Sequence, residues 1–333
     1  MLYNAPMLKE EDDLSWYARK ADTLRKGIAV ERAEDDADRA ERVSSLLEAL
    51  RRGGIKGSLE RRTLYTRRLP PGCRGCLAGK GTNAFVTGLC TRDCFFCFNQ
   101  KPRTDELVVH GIRLAEPEAA PEVVRRYGLR SVGVSGGEPT MRPERLLRLV
   151  RALRTLPFRV RIDLYTNGDR LSDGLLSQLK DAGLDALRFN LVAREFDTEP
   201  LERALRYFDE TAVEVPVIPE RLPEMKDMVL RLDALRVPFL NIHELFACRE
   251  NSARVAEKGY GSGGETSEAL LWEPVAGADE AALSLLLFAL EKTARLSVYY
   301  CSCRTQQDIS NRGMQRRLRL AADARRGDSA TRS

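Results

Sequence analysis

Apolar positions along this chain follow two alternating periods. From Ala84 onward, short apolar runs give way to longer stretches in which apolar residues recur every three or four positions, then return. These are the marks of buried strands and amphipathic helices. Strands are expected at 84–89, 130–135 (RSVGVS), 159–166 (RVRIDLYT), 186–191, 213–218 (VEVPVI), 239–246 and 296–300. Helices are expected at 121–127, 143–156, 172–182, 199–208, 223–235 and 278–295. Pro143 suits the first turn of its helix, and Gly183 suits the end of the helix at 172–182. Strands alternating with helices of about 10–15 residues read as βαβ units with parallel pairing. The pattern predicts an α/β fold, a full or partial (β/α) TIM-type barrel, with the chemistry on the loops that follow the strands.

Ahead of the barrel, residues 6–52 read as two charged helices with thin apolar stripes. Leu14, Tyr17, Ala21 and Leu24 mark the first, and Val43, Leu46, Leu47 and Leu50 the second, which ends at Gly53 and Gly54. A basic, turn-rich stretch follows, with Pro70, Pro71, Gly72 and two cysteines. The expected organisation is an N-terminal helical extension (1–60), a cysteine-containing linker (61–82), a core barrel (83–250) and a C-terminal extension (251–333). That last part completes the barrel and carries a candidate auxiliary metal site. Residues 259–266 (GYGSGGET) form a candidate lid.

Composition narrows the class. Hydrophobic residues make up 43% and charged residues 31% of 333, the balance of a soluble globular protein. No apolar run approaches the ~20 residues of a membrane span, and residues 1–10 lack the order of a signal peptide. A cytoplasmic location is expected. The net charge of +5 comes largely from Arg interleaved with Asp and Glu, which reads as solvated helix faces more readily than as a nucleic-acid surface. The densest run is Arg312, Arg316, Arg317, Arg319, Arg325 and Arg326. It suits either a phosphate or acidic-protein contact, or a C-terminal helix with a frayed end.

Eight cysteines fall in groups: Cys73 and Cys76; Cys90, Cys94 and Cys97; Cys301 and Cys303; and Cys248 alone. In a reducing compartment such grouping points to metal rather than disulfides. Cys90, Cys94 and Cys97 sit on a short loop at a strand end, and three thiolates there can hold a cubane with one iron open. Zinc with a fourth ligand from elsewhere is the alternative. The flanking Phe95, Phe96 and Phe98 and the strand-end location favour the cluster.

The CX3CX2C spacing with an aromatic before the last Cys (Cys90, Cys94, Phe96, Cys97) resembles the radical S-adenosylmethionine (radical SAM) superfamily. The resemblance continues in order through Gly136-Gly137-Glu138-Pro139, Tyr165-Thr166-Asn167-Gly168 and 185–191 (DALRFNL), and covers about residues 83–246. Within the superfamily the chain resembles an uncharacterised group related to pyruvate formate-lyase activating enzyme. The matching stretches are 72–76 (GCRGC), 85–90 (FVTGLC), 181–185 (DAGLD), 215–219 (VPVIP) and 240–245 (LNIHEL).

The resemblance implies a 4Fe-4S cluster on Cys90, Cys94 and Cys97, with S-adenosyl-L-methionine on the open iron. It also implies a one-electron reductant such as flavodoxin or ferredoxin. A 5′-deoxyadenosyl radical would abstract hydrogen from an unidentified small-molecule or peptide substrate. Phe96 is expected near adenine. Gly136, Gly137, Glu138 and Pro139 are expected at the SAM ammonium, where glycine lets backbone approach closely. Thr166 or Asn167 is expected at the ribose or methionyl group, and Asn190 beside SAM. Arg188 either pairs the SAM carboxylate or belongs to an ion pair in the barrel.

Cys73, Cys76, Cys301 and Cys303 are enough for a second 4Fe-4S cluster or zinc, or are unlinked thiols. His243 is either a substrate-facing proton donor or a satisfied barrel histidine. Cys248 either returns a hydrogen atom to product or is a small buried residue. His110 carries no clear signal. The competing class is a cysteine-rich zinc or iron–sulfur protein that binds nucleic acid without SAM chemistry.

Overall fold

The computed structural model describes residues 38–263 and 272–330, together with Ile28, Val30, Glu31 and Ala33. The first expected helix, around Leu14 to Leu24, and the last part of the expected lid lie outside the described residues.

Helix α1 (Arg39–Arg52) leads into a hairpin of two short strands, β1 (Lys56–Ser58) and β2 (Thr63–Tyr65), and then a short helix, α2 (Pro71–Leu77). The first barrel strand, β3 (Gly81–Thr87), is followed by a second hairpin, β4 (Leu107–Val109) and β5 (Ile112–Leu114). Helices and strands then alternate as the periodicity predicts. They are α3 (Ala120–Arg126), β6 (Ser131–Gly136), α4 (Pro143–Arg154), β7 (Arg161–Thr166), α5 (Asp173–Asp181) and β8 (Ala186–Phe189), then α6 (Glu199–Ala204), β9 (Ala212–Pro216), α7 (Leu222–Ala234) and β10 (Phe239–His243). The chain ends through β11 (Phe246–Ala247), α8 (Ser252–Glu257), β12 (Glu273–Pro274), α9 (Ala278–Lys292), β13 (Ser297–Cys301) and the long α10 (Cys303–Ala330).

One sheet runs β1-β2-β13-β10-β9-β8-β7-β6-β3-β4-β5. β3, β6 to β10 and β13 pair in parallel, while β2 and β4 add antiparallel strands at β13 and β3. β3 and β13 do not pair with each other, so this is a partial (β/α) barrel. Several elements differ from the expectation. Residues 56–65, assigned to the extension and linker, are strands of the main sheet, and the cysteine linker is partly helical. The β4–β5 hairpin had no sequence signal, and the strand expected at 239–246 breaks after His243. Three-residue strands are too short to show a period.

Within the barrel strands the usual division of faces is reversed. Ile162, Leu164, Leu187, Val213, Leu240, Ile242 and Val298 are fully buried in one core with Leu146, Leu149, Leu176, Met225, Val229 and Leu286 of the surrounding helices. Successive side chains alternate across a strand, so Asp163, Tyr165, Arg188, Glu214, Asn241, His243, Tyr299 and Cys301 fall on the other, inward face. The barrel is greasy outside and polar within.

Helices α2 and α10 stand at the open side. A Cβ on Gly72 would press on Asp163 and Arg188, and one on Gly75 would lie 2.6 Å from the Ser131 Cβ. The two glycines of the GCRGC stretch therefore let α2 seat against β6 and β7. Arg312 of α10 donates to the Leu77 carbonyl at 2.6 Å, and Arg316 to those of Tyr127 and Gly128 at 3.3 and 3.2 Å. Arg317 lies 5.0 Å from the Tyr127 ring centroid. Two of the six arginines of the dense basic run thus cap the carbonyl ends of α2 and α3, groups a helix leaves unpaired, and a third packs on the Tyr127 ring. None of the described helices is long and apolar enough to cross a membrane.

Replacing Arg312 and Arg316 together by Ala should loosen α10 by about 1–2 kcal/mol. Amide exchange at residues 305–316 should quicken about tenfold, with exchange in β6 to β9 unchanged.

Candidate functional site

β3 runs directly into a loop whose three thiols, Cys90, Cys94 and Cys97, line one wall of a cavity of about 360 Å³. Arginines hold this loop by its carbonyls. Arg103 donates to Cys90 O and Arg92 O at 3.2 and 2.7 Å, and Arg254 to Cys94 O at 2.9 Å. Asn251 donates to Phe96 O at 3.1 Å, and the Phe96 ring meets Phe95 edge-on at 5.3 Å. Tyr260, at the start of the expected lid, stacks on Phe95 at 5.9 Å. Arg92 makes a two-pronged pair with Asp169, both bonds at 2.7 Å. Asn167 Nδ2 reaches Thr91 Oγ1 at 2.9 Å and Cys90 Sγ at 3.8 Å.

The GGEP turn packs on the same loop. Gly137 N and Glu138 N donate to Thr87 O and Leu89 O at 2.8 and 2.7 Å. Gly136 has φ +125°, and a Cβ on either glycine would overlap the carbonyl oxygen of Thr87 or Leu89. The glycines are therefore required where two backbone segments meet, a reason independent of any bound ligand. Glu138 is 0% exposed. Its carboxylate accepts from Thr140 N and Oγ1 at 3.1 and 2.6 Å, from Thr166 Oγ1 at 2.8 Å and from Asn167 N at 2.7 Å. Burial raises its pKa above the usual range, opposed by these donors. The expected contact of Glu138 and Pro139 with a SAM ammonium is thus corrected. Both are buried and neither lines the cavity, and Glu138 ties GGEP to TNG.

Burial pushes the Cys94 thiol up to about 11, with Cys97 and Cys90 adding to it, and raises Cys90 also. A buried thiol with a high pKa gives up its proton readily only to a metal. Among the described residues, no three Cys, His, Asp or Glu side chains meet at the spacing of a single ion. A cubane instead takes each thiolate on a separate iron. Three thiols on one wall of a cavity, with their carbonyls pinned by cations, fit such a cluster.

Inside the barrel, Arg188 is 2% exposed. It donates to Asp163 Oδ2 at 2.8 and 2.7 Å and to Glu214 Oε2 at 2.8 Å. Its guanidinium is engaged by two carboxylates, the geometry of the ion-pair alternative, and it also lines the cavity. Glu214 also accepts from Asn241 Nδ2 at 2.7 Å and pairs with His243 Nε2 at 2.9 Å. Burial alone would raise Glu214, but His243, Arg188 and Asn241 outweigh it and hold the carboxyl down at about 2.

Phe96, Gly136, Gly137, Thr166, Asn167, Asn190 and His243 all line the cavity with the three thiols. Asn190 Oδ1 caps the turn at Ala193 N, 3.1 Å away. Cys73, Cys76 and Cys301 line the same cavity at its inner end, and Cys73 and Cys301 pack with Tyr299. Cys303 does not join them. Its N–H donates to Glu244 Oε2 at 2.8 Å, it is buried, and it lies outside the cavity wall. Of the four thiols expected at an auxiliary site, Cys73, Cys76 and Cys301 thus share the cavity. Cys248 is likewise off the wall. Burial pushes it up to about 12, and its carbonyl opens α8 by accepting from Ser252 N at 2.9 Å, so it has the geometry of the small buried residue. His110 is held low, at about 3, by burial and by Arg317, beside Thr82.

Residues 85–214, which carry the thiol loop, GGEP and TNG, match the family model described as the Radical SAM superfamily. Over that segment the chain is similar to the superfamily. A Methanocaldococcus jannaschii protein whose name places it among glycyl-radical enzyme activating enzymes is 27% identical over 246 residues, 70% of this chain and 63% of that protein. A Saccharolobus solfataricus protein named as a GTP 3′,8-cyclase is 32% identical over 143 residues, 41% of this chain and 44% of that one. The chain therefore spans less than two thirds of either relative. Among solved structures, the FeFe-hydrogenase maturase HydG from Carboxydothermus hydrogenoformans is similar at 13% identity and TM-score 0.46, over 87% of this chain and 71% of that one.

The radical SAM site also rests on residues that the motifs did not name. Arg103, Asp169, Asn251 and Arg254 brace the thiol loop, and Asp163, Glu214, Tyr299 and Gln306 build the interior. Asp169 follows TNG directly, and Asp163, Glu214 and Tyr299 occupy alternate positions in apolar strands, a signal available in the sequence, while Gln306 lies on α10.

Glu138→Gln should destabilise the fold by about 1–3 kcal/mol, because an amide turns donors toward donors at a site that takes four. Thermal melting reads this. Glu244, buried near Asp279, is pushed up to about 7 by burial and that neighbour. Its folded pKa exceeds the unfolded one, so its contribution is full below about pH 4.5 and is lost as pH rises toward 7, by up to about 3 kcal/mol. Glu244→Gln should flatten the loss of stability measured between about pH 5 and pH 8.

Proposed function

We propose that this chain is a radical SAM enzyme in which Cys90, Cys94 and Cys97 hold a 4Fe-4S cluster, and that a hydrogen atom is taken from a substrate seated in the barrel. The carrying observation is the placement of the three thiols on the wall of a cavity that continues into the polar barrel interior. When bound, the cluster and SAM supply a one-electron cleavage that yields methionine and a 5′-deoxyadenosyl radical.

The chain's own residues position and shield. Arg103 and Arg254 fix the loop carbonyls and place positive charge beside three thiolates. Phe96 offers an aromatic edge for adenine, and Asn167 and Asn190 present amides to the sugar and amino-acid parts of SAM. The Gly136–Gly137 backbone, rather than Glu138, faces the SAM ammonium. Glu214 orients the His243 ring by its Nε2, which suits His243 to move a proton at the substrate. A one-electron reductant of the flavodoxin or ferredoxin kind supplies the electron, and the substrate is a small molecule or a peptide. The reading carries one cluster, since Cys303 lies off the cavity wall that holds the other inner thiols.

The test is anaerobic reconstitution followed by dithionite reduction with SAM. The wild type should hold about four irons and release 5′-deoxyadenosine. Cys94→Ala should lose the iron signature and at least about 100-fold of the release. Bound zinc, no SAM cleavage and steeply salt-dependent RNA binding would support the nucleic-acid reading instead.

A further inference from the structure

At its inner end, the cavity has hydrogen-bonding capacity that the protein leaves unused. Asn241 on β10 is 1% exposed. Its Nδ2 donates to Glu214 Oε2 at 2.7 Å and to Cys73 Sγ at 3.3 Å. A carboxylate accepts only from the NH₂ side of an amide, so the amide orientation is set and Oδ1 must face the other way. That oxygen is buried with no donor. Gln306 on α10, 6% exposed, repeats the arrangement. Its Nε2 donates to Cys301 O at 3.4 Å, and Oε1 is buried with no donor. The hydroxyl of Tyr299, 2% exposed, has only the Cys301 thiol beside it, and Ser135 Oγ on the β6 side lacks a partner. All four residues line the one cavity that reaches Cys90, Cys94 and Cys97.

Buried polar side chains with no partner are uncommon, and each asks for an explanation. Two carbonyl-type oxygens can be satisfied only by N–H or O–H donors. The charged groups here are already matched: Arg188 is held by Asp163 and Glu214, and Glu214 by Arg188, Asn241 and His243. No unpaired cation among them draws an anion, and two amide oxygens would repel one. A group with two or more N–H bonds carries the donors that both oxygens lack, and the Tyr299 hydroxyl can donate to or accept from its neighbour atom.

We propose that this inner pocket binds an amine or carboxamide group of the substrate through Asn241 Oδ1 and Gln306 Oε1. The inference deepens the reading of the cavity as a substrate site, since a substrate anchored there would extend toward the thiol rim. It rests on β10, β13 and α10, which lie beyond the segment that matches the family model.

The experiment is a thermal-shift and calorimetric titration of the anaerobically reconstituted full chain. The probes are methylammonium chloride, acetamide and sodium acetate, with sodium chloride matching ionic strength. Methylammonium and acetamide should raise the melting temperature and acetate should not. Gln306→Leu should weaken both binders at least about tenfold. Gln306→Glu, which keeps an acceptor and adds charge, should bind methylammonium more tightly than wild type and guards against a folding defect in the Leu variant. Equal binding of acetate, no binding by either nitrogen probe, or unchanged affinity in both variants overturns the proposal. Amine binding that persists while SAM is never cleaved would keep this inference and discard the radical reading.

Discussion

Four hydrogen bonds converge on the carboxylate of Glu138, and through them three separate stretches of chain are brought to one place. The GGEP turn carries the residue, TNG supplies two of its donors, and the backbone on either side of Glu138 leans on Thr87 to Leu89 as they enter the thiol loop. A carboxylate buried this far from water is costly unless its oxygens are fully used. Because they are used, a displacement of any one segment leaves a buried oxygen or an N–H unsatisfied. The thiol loop is thus held from behind by geometry and from the front by arginines on its carbonyls, which leaves the three sulfurs facing the cavity.

The interior obeys the same logic with charge in place of dipoles. Arg188 between Asp163 and Glu214 is not in itself a source of stability, since desolvating three ions offsets much of their attraction. What it does is order the floor of the barrel. Glu214 is held ionised, Asn241 and His243 are oriented by it, and α2 can seat only because Gly72 adds nothing between the ions. Removing one member would strand the others. The polar floor also explains why the helices contribute so much apolar surface: the core of this protein lies between helices and sheet, not inside the barrel.

Much of the site was legible in residue order. Cys90, Cys94 and Cys97, GGEP and TNG sit at consecutive strand ends, and their roles as neighbours followed from the β/α period. Other positions depended on contacts that residue order does not show. Glu138 was expected at a ligand, and Arg188 at a ligand or in an ion pair, and each is surrounded by partners from strands or turns distant in sequence. Cys303 was grouped with Cys301 by proximity, but the chain turns into α10 between them and only Cys301 lines the cavity. The basic run near residue 316 looked like a surface, and part of it is a clamp on the carbonyl ends of two helices.

Residue order alone therefore established the repeating strand–helix architecture, the thiol loop and the family it resembles, because these depend on periods and spacings within single segments. The folded molecule decided which polar groups are already occupied and which are left open. Occupancy depends on pairs such as Arg188 with Glu214, or Asn241 with Cys73, that meet only across strands and at the seam where α2 and α10 come together. That is why Glu138 proved to be a brace, and why Asn241 and Gln306 emerged as the open acceptors.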